Sequence, residues 1–71
     1  MINERLKTLG INIKSARLKK SISQENLAET VGISLATMSL IETGKQNTSI
    51  LNLIDIAKAL GVTLDALTND V

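Results

Sequence analysis

An all-α fold is expected from three features of the 71-residue sequence: no proline, only four glycines, and runs rich in Leu, Ala, Lys and Glu between small polar caps. With no Phe, Tyr or Trp, the core must be assembled from Leu, Ile, Val, Ala and Met. The length suits one small domain, residues 1–71, stabilised by close helix packing or by a partner. Cys and His are absent, so disulfides and the common zinc sites are excluded. No metal or cofactor is implied.

Caps and periodicity place five helical segments. The first spans about Asn3 to Lys20, with Leu6, Leu9, Ile13 and Leu18 spaced as one buried face. Gly10 inside it costs roughly 1 kcal/mol against Ala. It either permits a close approach or marks a loose first turn. The second segment opens at Ser23 as N-cap and stops at Gly32, with Asn26 leaving the capping box incomplete. The third runs from Ser34 as cap to Gly44. The fourth is capped by Ser49 and runs to Leu60, before Gly61. The fifth, "TLDALTND", is short and capped by Thr63.

The connection between the second and third segments is only about four residues, Val31 to Ser34. So tight a turn forces a steep crossing, with Leu27, Ala28, Val31, Met38 and Ile41 in the angle. A larger side chain at Ala28 would push the helices apart. A DNA-reading helix-turn-helix fits this pattern, and so does a generic helical hairpin; the first is favoured.

Charge adds a second clue. The net charge is only +1, but residues 1–20 hold Arg5, Lys7, Lys14, Arg17, Lys19 and Lys20 against Glu4 alone. Such asymmetry marks either an electrostatic face or a solvated helix surface. Catalysis finds no support. Glu25 with Glu29, and Ser15 with Lys19, share helical spacing, but nothing converges into a nucleophile, base and orienting group. The "GK" at residues 44–45 is no nucleotide loop, because Ser39 stands where the upstream glycine belongs and Gln46 where Ser or Thr is needed. No signal peptide or membrane span is evident, so a cytoplasmic, non-enzymatic protein is expected. The "NTS" at Asn47 is then an idle glycosylation pattern.

Several anchors at fixed distances resemble the phage repressor and Cro family of helix-turn-helix domains, also called the xenobiotic-response-element class. They are Arg17, "SQENLAE" (Ser23–Glu29), Gly32, "IETGK" (Ile41–Lys45) and "IAKALGV" (Ile56–Val62), and the likeness covers about residues 9–67. The resemblance implies a compact five-helix bundle of the lambda repressor-like type, with double-stranded DNA as partner and a homodimer on a palindromic operator. It places Gln24 at a phosphate, bracing the recognition helix, and joins Arg17 to Glu42 by a structural salt bridge. Lys45, Gln46 and Asn47 would lie along a phosphate strand. Ser34, Leu35, Ala36, Thr37, Ser39 and Leu40 complete the implied DNA-contacting set. Ile50, Leu51 and Ile54 fall near the two-fold axis of family dimers.

This sequence departs from the family on the recognition helix. Turning 100° per residue, Thr37, Met38 and Ile41 fall on one side, and Leu35, Ala36, Ser39 and Leu40 on the other. The family often sets long polar or basic residues where Leu35 and Leu40 stand. Three readings compete: apolar contact with thymine methyls plus serine bonds to base edges, weakly selective backbone binding, or docking of a protein partner. The first is favoured. The expected function is a bacterial or phage transcription regulator, a repressor acting by occlusion of polymerase. The alternative is an antitoxin-like or adaptor protein of the same fold, which binds a partner protein and represses its own operon.

Overall fold

The computed structural model describes residues 3–71; Met1 and Ile2 of the expected 1–71 unit lie outside them. Five helices follow one another: α1 (Glu4–Lys19), α2 (Gln24–Val31), α3 (Leu35–Glu42), α4 (Ile50–Leu60) and α5 (Leu64–Thr68). Among the described residues there is no strand. The caps fix each start. Asn3, Ser23, Ser34, Ser49 and Thr63 hold extended backbone, and each side-chain oxygen accepts an N–H from the first turn. That satisfies one of the donors a helix start leaves open. α3 ends earlier than its sequence suggests: Glu42 is its last residue, Thr43 its cap, and Gly44 turns the chain at φ 75°.

Every helix contributes to one core. Ile13, Leu27, Met38, Ile41, Ile56, Leu60 and Leu67 are fully buried, joined by Leu9, Ala28, Leu53 and Ala57. Each large aliphatic side chain so removed from water contributes about 1.5–3 kcal/mol. Leu18 does not belong to it, contrary to the expected face, and is 57% exposed. The inward position at that turn is Arg17, and one residue further rotates the side chain by about 100°, out to solvent. Leu6 is only half-buried.

Gly10 permits a close approach. A Cβ there would lie 2.5 Å from the Glu42 carbonyl oxygen and 2.6 Å from that of Ile41. The backbone of α1 therefore rests directly on the end of α3. Gly44 repeats the device from the other side, its missing Cβ falling 2.6 Å from Lys7 Cα. At the far end, Asn12 Nδ2 donates to the carbonyls of Leu67 at 3.0 Å and Asn69 at 2.8 Å, tying the end of α5 to α1. No helix among the described residues is long and apolar enough to cross a membrane.

Candidate nucleic-acid interface

α2 and α3 are joined by Gly32, Ile33 and Ser34, one residue fewer than expected because Val31 stays helical. Leu27, Ala28, Met38 and Ile41 are buried in the crossing, and Val31 is half-buried. The side of α3 turned away from them carries Leu35, 48% exposed, and Leu40, 39% exposed. Ala36 is exposed between them, whereas Ser39 and Thr37 are half-buried. Ser34 Oγ accepts the Thr37 N–H at 3.0 Å and donates to Thr37 Oγ1 at 2.8 Å. The Ser34 hydroxyl is thus engaged, while the Thr37 proton and the Ser39 hydroxyl are left for an outside partner.

A buried polar brace sets the angle of α3. Arg17 and Glu42 are only 7% and 5% exposed. The Arg17 fork donates from Nε to Glu42 Oε2 at 2.8 Å and from Nη2 to Oε1 at 3.1 Å, while Nη1 donates to the Ile22 carbonyl at 2.9 Å. Such a two-pronged, charge-assisted pair fixes orientation as well as distance. Gln24, the first residue of α2, donates from Nε2 to Glu42 Oε1 at 3.1 Å. One carboxylate therefore ties α1, α2 and α3 together. The second amide hydrogen of Gln24 remains available at the start of α2, where free N–H groups and the positive end of the helix dipole favour an anion.

Lys45, Gln46 and Asn47 are exposed in the loop after α3. The loop is pinned to the helix by the Lys45 N–H, which donates to the Leu40 carbonyl at 2.9 Å, and Asn47 Oδ1 accepts the Thr48 N–H at 2.8 Å. Gln24 and Lys45 thus stand at the C-terminal end of α3, whose outer side presents Leu35, Ala36 and Leu40. The residues expected at a dimer interface follow this loop on α4. Ile50 and Leu51 are 58% and 70% exposed in the first turn of α4, whereas Ile54, one turn on, is half-buried. Among the described residues, no group of three or more acidic side chains could hold a metal ion.

Two short helices crossing on a three-residue turn, with α1 clamped across the second and its outer side exposed, define a helix-turn-helix regulator. The chain belongs to the HTH_3 helix-turn-helix family, of the Cro/C1 type, whose sequence profile matches residues 13–67. The resemblance to phage repressors and Cro is borne out, and with it the all-α five-helix fold. Control protein C.MunI of Mycoplasma sp. is 38% identical over 63 residues, which span 87% of this chain and 85% of that protein. The crystal structure of the restriction-modification controller protein C.AhdI from Aeromonas hydrophila superposes with a TM-score of 0.87 at 29% identity, covering 92% of this chain and 98% of that one. SinR, the master regulator for biofilm formation, solved in complex with DNA, gives a TM-score of 0.80 at 34% identity over 86% of this chain and 98% of that one. The chain is a DNA-binding helix-turn-helix transcription regulator.

Proposed function

We propose that the protein is a cytoplasmic repressor that binds a palindromic operator as a homodimer and reads each half-site largely through apolar contacts. The observation that carries this reading is the exposed side of α3, which presents Leu35, Ala36 and Leu40 while Gln24 and Lys45 stand as polar anchors at its C-terminal end. Methyl groups of thymine project into the major groove and match such a surface, while Ser39 supplies a hydroxyl for a base edge. Gln24, Lys45, Gln46 and Asn47 hold the register through phosphates, contacts that position a protein without reading sequence. Ile50, Leu51 and Ile54 join the two copies, setting the α3 helices about 10 base pairs apart. Repression follows from occlusion of polymerase and needs no chemistry by the protein. The likeness to C.MunI and C.AhdI over nearly their whole lengths supports a controller role, with restriction-modification genes as the target.

Binding selection from a randomised duplex library at two salt concentrations tests the proposal, run with the wild type and Leu40→Gln in parallel. The expected result is a thymine-bearing palindrome for the wild type and an altered preference at one position per half-site for the variant. Recovered duplexes without a common motif, or the same motif for both proteins, would refute apolar readout. No recovery even at low salt would turn attention to a protein partner on α3.

A further inference from the structure

We propose that the cleft between α1 and α5 docks an acidic segment of a partner protein that carries one aliphatic anchor. The cleft measures about 250 Å³ and is lined by the apolar side chains of Ala16, Val62 and Ala66 and by the cations Lys19 and Lys20. That volume lies below the roughly 300–1,000 Å³ typical of small-molecule pockets. It suits a single branched side chain presented by a helix, the arrangement of helix-in-groove recognition. Ile11 and Leu18, 53% and 57% exposed, lie on the other flank of α1, roughly 140–160° around the helix axis from Ala16, so the cleft is bounded by its own lining.

The charge of the partner follows from what this chain leaves unpaired. Among the described residues Arg17–Glu42 is the only ion pair, so Lys14, Lys19 and Lys20 have no carboxylate of their own. Not even Asp65, which precedes Ala66 in α5, reaches them. Lys20 has a favourable position of its own. Its Nζ stands 3.8 Å from where a Cβ on Gly61 would be, over the C-terminal end of α4, which favours a cation. Complementary charge across such a surface gives specificity and speeds encounter.

DNA is the poorer occupant. Gly10 and Arg17 turn α1 toward α3, and the cleft-lining residues of α1 point roughly 100–180° away from them. A partner seated here leaves α3 free to stay in a groove.

Panning a randomised library of short helical peptides against the full chain tests the assignment, followed by titration of the recovered peptides against Lys19→Glu and, separately, Ala66→Leu. Both positions are exposed, so both variants are expected to melt like the wild type. The expected peptides carry Asp or Glu around one Leu, Ile or Met, and each variant weakens them by more than about tenfold. Duplex DNA added in excess does not displace them. Peptides without acidic residues, binding indifferent to both variants, displacement by duplex, or no recovery at all would each overturn the proposal.

Discussion

Removing the Glu42 carboxylate isolates the energetic role of the brace. In Glu42→Ala the Arg17 guanidinium stays where it is, 7% exposed, and keeps only the Ile22 carbonyl as a hydrogen-bond partner. Gln24 Nε2 loses its acceptor at the same time. Breaking a buried pair by removing one partner costs about 3–5 kcal/mol, because the remaining charge is desolvated without compensation. A chain of 71 residues holds roughly 4–11 kcal/mol in all, taking about 0.05–0.15 kcal/mol per residue. The loss is therefore about a quarter of the stability at least, and thermal melting by far-UV circular dichroism should fall by more than about 12 °C.

The matched control removes both charges. Arg17→Met with Glu42→Leu replaces the pair by apolar groups of similar reach, a change that is often neutral or stabilising. The double variant is expected to melt close to the wild type. If Glu42→Ala alone costs less than about 1 kcal/mol, the pair is screened by solvent and the reasoning fails. It fails equally if the double variant is as unstable as the single one, since the penalty would then not arise from an uncompensated charge.

Gly10→Ala should lower the urea midpoint by about 1–3 kcal/mol in stability, because the added carbon meets main-chain oxygens that cannot rotate away; a midpoint at or above that of the wild type would show that α1 can slide over α3. Lys45→Ala should weaken binding to all duplexes alike and reduce the salt slope by about one unit, as one phosphate contact is lost, and an unchanged slope would take Lys45 off the phosphate strand. Leu51→Asp should shift sedimentation toward monomer at unchanged helix content, while undiminished self-association would exclude the exposed first turn of α4 from the interface.

Features decided over a few residues were legible in the sequence, and those decided across the chain were not. The caps of α2 to α5 bond N–H groups three residues on, so Ser23, Ser34, Ser49 and Thr63 could be assigned from spacing alone, whereas Asn3 was read only as the approximate start of its segment. The outward turn of Leu35 and Leu40 followed from helical angle in the same way. Periodicity misled at Leu18 because the buried place on that turn goes to a charged residue, whose partner stands 25 positions away. The tie from Asn12 to the end of α5 spans 55 and 57 positions, and the α1–α5 cleft, which Asn12 helps to line, is assembled from both ends of the chain; neither has a local signal. The choice between the two roles open to Gly10 likewise needed the position of the Glu42 carbonyl.

The internal bonding around α3 also bears on how an apolar helix can discriminate at all. Its polar neighbours are largely spent inside the protein: Ser34 on Thr37, and Glu42 on Arg17 and Gln24. In the proposed reading, what remains for the bases is short-range contact from Leu35, Ala36 and Leu40. Dispersion falls off over fractions of an ångström, and a gap of about 0.5–1 Å already forfeits a quarter to a half of it. Long polar readers tolerate such a shift by changing rotamer; leucine against a methyl group does not. An apolar reader therefore depends on rigid placement more than a basic one does, and the Arg17–Glu42–Gln24 brace supplies it. It follows that the charge-free double variant, stable though it is, should lose sequence preference while keeping its backbone affinity, the reverse of Lys45→Ala. Preference retained in that variant would mean that core packing alone orients α3.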